Sequence, residues 1–192
     1  MHEGPPVAVA EEERRLADGM PQRRRADFLV GRSALHRAVR AAGLRAGAVL
    51  HDGPRPRLPE GVSASLSHSE GVAVAVAGPS DRFPLLGVDL ELAGLPLEAS
   101  HLVLSAREEG LLGGGAEARR RLCAMYSAKE AAFKALSPVL GAELPGLRAL
   151  SLQAHADGYL VGSLPGAPRV RVSVRRLRRG VLCWAHAADR PF

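Results

Sequence analysis

The sequence predicts an α+β fold made of one unit repeated: helix first, then a small antiparallel sheet, twice over. Three observations support it. Helical patterning at 11–43 is followed by three strand-like runs between 62 and 92. A second helical stretch at 117–136 is followed by four more such runs, ending near His186. Between the halves, Gly94 to Pro96 makes a natural joint, giving an amino-terminal lobe over 1–94 and a carboxy-terminal lobe over 95–192.

Each element has a local cause. Glu11 to Asp18 forms a first helix. From about Arg24 a second carries the apolar stripe Phe28, Leu29, Leu35, Val39 and Ala42, with Gly43 as its stop. Gly53-Pro-Arg-Pro-Arg-Leu-Pro59 is a rigid extended loop. Val62 to Leu66, Val72 to Ala77 and Leu85 to Leu92 are strands, the first two joined through Ser67-His-Ser-Glu-Gly71. Ser105-Ala-Arg-Glu108 is a capping box opening a helix through Leu112, which Gly113-Gly-Gly115 breaks. Glu117 to Leu136 is a longer helix, expected to end at Ser137-Pro138. Leu147 to Gln153, Gly158 to Val161, Val170 to Arg176 and Val181 to His186 close the chain as a meander.

Composition limits the functions. In the 192 residues 46% are hydrophobic and 4% aromatic, so the core is built from Leu, Val and Ala. The formal charge of +6 favours anionic partners: nucleic acid, nucleotide or an acidic protein. The two cysteines make neither a metal spacing nor a disulfide framework, as expected of a cytoplasmic protein. Met1 to Ala10 lacks a basic start and runs into Glu11-Glu12-Glu13, so no signal peptide is expected. The longest apolar run, Gly71 to Gly78, is too short to span a bilayer.

Chemistry concentrates in two segments. Both lysines fall in Tyr126-Ser-Ala-Lys-Glu-Ala-Ala-Phe-Lys134, in a chain that otherwise writes its positive charge as Arg. Lys is a compact charge with three donors, and it does not interchange with the Arg fork at a phosphate site. Helical spacing puts Glu130 and Lys134 on one face. Upstream, Gly87-Val-Asp-Leu-Glu91 alternates on a strand, so Asp89 and Glu91 point to one side. Side-by-side carboxylates repel unless a cation lies between them, and Mg²⁺ takes one or two carboxylates plus substrate phosphates. Glu130 would add a third. Ser67-His68-Ser69 has no nucleophile elbow around it and suits donation to phosphate better than hydrolysis.

Taken together, these segments resemble the 4′-phosphopantetheinyl transferases. Gly-Val-Asp-Leu-Glu91 and Tyr-Ser-Ala-Lys-Glu-Ala-Ala-Phe-Lys134 are similar to the family's two signatures, Gly-(Val/Ile)-Asp-x-Glu and (Trp/Phe)-(Ser/Cys)-x-Lys-Glu-x-x-x-Lys. Leu66-Ser-His-Ser69, Leu104-Ser-Ala-Arg-Glu108 and Arg24-Arg-Ala-Asp-Phe-Leu-Val-Gly-Arg32 resemble further motifs, the last of the surfactin and enterobactin synthetase type. Tyr126 replaces the usual Trp or Phe. The loop before Gly61 is short and lacks the family's Trp-Pro, and His36 stands where an Arg often follows.

The resemblance implies a pseudo-dimer of two similar lobes with coenzyme A between them. It implies Mg²⁺-dependent transfer of 4′-phosphopantetheine from coenzyme A to a serine of an acidic acyl or peptidyl carrier protein, releasing adenosine 3′,5′-bisphosphate. By position, Asp89, Glu91 and Glu130 become the metal carboxylates, Lys134 the pyrophosphate contact, and Lys129 its helper. Ser67 and His68 face the phosphates of coenzyme A, and Arg24, Arg32 and Arg55 its adenosine end. Glu130, or Glu108 through water, is the expected base. A monomer is expected, acting on neither membrane nor nucleic acid. Two other classes compete: an Arg-rich nucleic-acid-binding module, which lacks interleaved aromatics, and another Mg²⁺-dependent nucleotide phosphoryl enzyme, which would need no carrier.

Overall fold

The computed structural model describes residues 9–52, 55–163 and 166–188, except for the side chains of residues 51, 52 and 55. In chain order come α1 (Glu11–Asp18), α2 (Gln22–Ala41), β1 (His51–Asp52), β2 (Arg55–Pro56), β3 (Val62–Ser69), β4 (Val72–Pro79) and β5 (Leu86–Glu91). Then follow α3 (Ser100–Val103), α4 (Ala106–Glu109), α5 (Gly115–Leu140), β6 (Ser151–His155), β7 (Gly158–Gly162), β8 (Val170–Arg176) and β9 (Val181–Ala187). The fold is α+β, with helices packed on antiparallel sheets.

In the amino-terminal half α2 packs on the β3–β4 hairpin. The hairpin turns at Glu70-Gly71, both at positive φ. Glu13, fully buried, ties this half together. It accepts from the Val49 amide at 2.8 Å, the Ala10 amide at 2.9 Å, and pairs with His36 Nε2 at 2.9 Å. A carboxylate buried without such partners would be costly.

In the carboxy-terminal half α5 crosses a five-stranded antiparallel sheet in the order β5-β9-β8-β7-β6. Its inner face is mostly alanine: Ala124, Ala128, Ala131, Ala132 and Ala135 pack against Val161, Val170, Val172 and Ala185. Small residues let the helix sit close. At Gly87 it sits so close that a Cβ would fall on the Ala131 carbonyl, which is why the strand carries glycine there.

The two sheets meet along a ladder of serine hydroxyls rather than backbone bonds. Ser65 Oγ accepts from the Val88 amide at 3.1 Å, and Ser69 Oγ from the Leu92 amide at 3.2 Å. Between them Ser67 Oγ donates to Asp89 Oδ1 at 2.9 Å. Strand periodicity puts these three serines on one side of β3. Two amides on the otherwise open edge of β5 thereby find acceptors.

The long helix runs further than the sequence predicts. Pro138 lies inside α5, which continues to Leu140 and stops at Gly141 with positive φ. Proline lacks the amide that would bond the carbonyl four residues back, but so close to the end few helical bonds remain to be lost. Leu147–Ala149 forms a 3₁₀ turn, so the following strand starts at Ser151 rather than at Leu147.

Candidate active site

The two acidic segments come together where α5 lies over β5. Lys134 Nζ donates to Asp89 Oδ1 at 2.8 Å and to the Val88 carbonyl at 3.1 Å. Asp89 is 6% exposed, with Ser67 and Lys134 on the same oxygen. The Lys134 side chain keeps 29% of its surface exposed, so its ammonium can still meet a ligand from solvent. Ser127, fully buried two helical turns earlier, directs its hydroxyl at the Asp89 carbonyl at 3.5 Å.

Glu130 completes the group. Burial pushes its carboxyl above the ordinary value. Lys134 pulls it down, Asp89 and Glu91 raise it further, a hydrogen bond with Tyr126 lowers it, and the net direction is upward. The Tyr126 phenol, one turn before Glu130, is itself pushed up to about 12 by burial and by the three carboxylates, Glu130 first. Three acidic groups thus share one field, with one ammonium against them.

Glu91 is the outer member. Its Oε1 accepts from the Ala93 and Gly94 amides at 2.9 and 3.0 Å, folding the side chain over its own turn. Among the described residues no three His, Cys, Asp or Glu side chains converge on a common point. The donor chemistry nevertheless fits a hard divalent cation: oxygen ligands only, in excess over positive charge, with a raised carboxyl that a cation would relieve.

Of the other residues the sequence singles out, His68 is exposed on the strand carrying Ser67, its side chain on the opposite face of β3. Arg24 is exposed on the first turn of α2. The Arg55 side chain lies outside the described residues. Arg32 faces inward: 3% exposed, it donates from Nε to the Val49 carbonyl at 2.7 Å and stacks on Phe28 at 4.5 Å. Burial lowers its affinity for its proton, partly offset by Glu13.

Glu108 and Lys129 are brought together, but with each other. Lys129 is fully buried and donates to Glu108 Oε2 at 2.7 Å and to the Val103 carbonyl at 2.8 Å. Glu108 is 4% exposed and its oxygens already accept from Ser105 and from the Leu152 amide. Sequence reasoning did not single out Ser65 and Ser127. A period-two signal for the first was present, Ser63-Ala-Ser65-Leu-Ser67-His-Ser69. Ser127 has no signal beyond its place in the lysine segment.

Residues 85–178 match the family model of the 4′-phosphopantetheinyl transferase superfamily, so both acidic segments and the whole of α5 lie inside the match. Residues 11–78 match the 4′-phosphopantetheinyl transferase N-terminal domain. The chain belongs to the 4′-phosphopantetheinyl transferase superfamily and is an enzyme of phosphopantetheine transfer. No curated protein matches it significantly. Among the described residues no helix is long and apolar enough to cross a membrane.

Proposed function

We propose that this enzyme moves the 4′-phosphopantetheine group of coenzyme A onto a serine of an acidic acyl or peptidyl carrier protein, in the manner of the surfactin and enterobactin synthetase type. The observation that carries the reading is the Lys134–Asp89 pair, with Glu130 one turn away on the same helix. Phosphoryl transfer asks chiefly for positioning and charge neutralisation, and this group offers both.

Asp89 and Glu130, with Glu91 behind them, would hold Mg²⁺. That ion, when bound, would neutralise the pyrophosphate and draw charge from the reacting phosphorus. Lys134 binds the pyrophosphate from the other side, its ammonium already aimed by Asp89 and Val88. His68 donates to the phosphates of coenzyme A, while Ser67, whose proton goes to Asp89, holds that carboxylate in place. Arg24 and Arg55 hold its adenosine end, while Arg32 acts from inside by fixing the segment at Val49. Two lobes, 1–94 and 95–192, enclose coenzyme A, with β5 as the strand they share.

Glu130 takes the proton of the carrier serine: it is the carboxylate that α5 brings to the group, one turn from Lys134. Glu108 is the weaker candidate. Burial pushes it up, but bonds from Lys129, Ser105 and Leu152 more than reverse that, and its net direction is downward. The formal charge of +6 suits an acidic carrier, through a faster association rate.

Product analysis tests the reading. With Mg²⁺ and an apo carrier, coenzyme A should be consumed in step with adenosine 3′,5′-bisphosphate release. Release that runs equally well without a carrier would favour a nucleotide hydrolase instead.

A further inference from the structure

The buried pair Glu108–Lys129 forms a densely hydrogen-bonded polar cluster, and the mechanism above does not use it. Four donors meet the Glu108 carboxylate: the Ser105 amide at 2.8 Å, the Ser105 hydroxyl at 3.0 Å, Lys129 Nζ at 2.7 Å and the Leu152 amide at 2.9 Å. Three of them converge on Oε2 and the Leu152 amide takes Oε1, so both oxygens are engaged. Lys129 adds the Val103 carbonyl at the end of α3. One cluster therefore joins α3, the cap of α4, the start of β6 and the middle of α5.

Its place on α5 is what matters. Lys129 immediately precedes Glu130. Ala131, whose carbonyl lies against Gly87, is two residues on, about 200° further round the helix. The helix is thus gripped on nearly opposite faces, with Glu130 between the grips. Without the Lys129 grip this side of α5 would be held only by Met125 and Leu122, one and two turns earlier, packed with Val103, Leu104 and Leu112. Nothing polar on that side would fix the rotation at Glu130. A side-chain tip about 6 Å from the axis moves about 1 Å for a 10° turn. A displacement of that size can cost about 100-fold in rate.

We propose that Lys129 and Glu108 are positioning residues: a buried strut that sets the rotation of α5 and so aims Glu130 and Lys134 at Asp89. This inference rests on the transferase reading, and it removes both residues from direct contact with coenzyme A or the carrier serine.

The test compares Lys129→Met, Glu108→Gln and the double variant with wild type, each assayed well below its own melting temperature. Lys129→Met strands a buried carboxylate. It should lower kcat about 10- to 100-fold, with KM for coenzyme A and carrier within about threefold of wild type. The double variant has no stranded charge but no grip either, so its kcat should stay as low as that of Lys129→Met. Full recovery would overturn the proposal by tracing the loss to the stranded charge. If Lys129→Met does not fold, Lys129→Arg, whose fork misfits a pocket built for an ammonium, gives the same comparison. Unchanged kcat per folded molecule would reduce the pair to stability alone and overturn the proposal. Loss in Glu108→Gln as deep as in Glu130→Gln, and deeper than in Lys129→Met, would overturn it in favour of direct chemistry. Hydrogen exchange of the α5 amides around Glu130 reads the strut without any assay. Faster exchange in Lys129→Met supports it, and unchanged exchange contradicts it. A wild-type chain that transfers nothing would sink the functional reading while leaving the exchange result to judge the strut.

Discussion

Lys134 and Asp89, 45 residues apart in sequence, meet at 2.8 Å where α5 crosses β5, and the Asp89 oxygen they share also takes the Ser67 hydroxyl. One carboxylate therefore joins the strand of one signature, the helix of the other and the hairpin of the amino-terminal half. Anything that displaces one of the three displaces the site.

Lys134→Ala should lower transfer about 10²- to 10³-fold, the scale for losing one donor to a developing anion. Lys134→Arg should recover only part, because the guanidinium fork cannot keep both the Val88 and the Asp89 contacts and face a phosphate. Steady-state kinetics at saturating carrier reads both. A fully active Lys134→Arg would remove the reason for lysine at this position.

Ser67→Ala removes one of the two donors on a buried carboxylate. It should destabilise the fold by about 1.5–3 kcal/mol, as for hydrogen bonds to charged groups. Ser65→Ala, whose hydroxyl meets only a backbone amide, should cost about 1 kcal/mol. Urea denaturation of the two variants decides the order, and equal losses would mean that the ladder does not discriminate Asp89 from the backbone.

The sequence carried much of this. Period-two alternation placed Asp89 and Glu91 on one strand, and helical spacing placed Glu130 and Lys134 on one face. What it could not carry were contacts set by packing between distant elements. Lys129 and Lys134 look alike in sequence, yet one is fully buried against Glu108 and the other, beside Asp89, keeps part of its surface in solvent. Residue type cannot say which face of a helix meets which neighbour when that helix is buried on several sides. Arg32 shows the same limit: a motif arginine that turns inward to Val49 and Phe28. Pro138 read as a stop because local rules end helices there, and a final turn with few bonds left overrode them.

Gly87→Ala should be among the most damaging single-methyl additions. Its Cβ would collide with the Ala131 backbone, forcing α5 off the sheet at a cost of about 1–3 kcal/mol or more. Gly47→Ala, where a Cβ meets open space, is the control. Thermal melts should separate the two clearly, and similar melting temperatures would mean that the helix shifts without penalty.

Glu108 makes stability depend on acid pH. Its folded carboxyl titrates below the ordinary 4.5, so the unfolded chain binds the proton more readily. The stabilisation is therefore fully present above that ordinary value and fades as pH falls through the lower folded one. Unfolding free energies of wild type and Glu108→Gln, measured from neutral pH downward, should converge below about 4.5. A constant gap through that range would place the titration elsewhere.

The central claim is transfer to a carrier serine by the group around Asp89, Glu130 and Lys134. Intact-mass analysis of an apo carrier protein, incubated with this chain, coenzyme A and Mg²⁺, tests it most directly. The carrier should gain one phosphopantetheine group, and the gain should vanish when its acceptor serine is replaced or when Glu130→Ala stands in the enzyme. A carrier whose mass stays unchanged across both acyl and peptidyl types, or a Glu130→Ala enzyme that modifies it at the wild-type rate, would contradict the account.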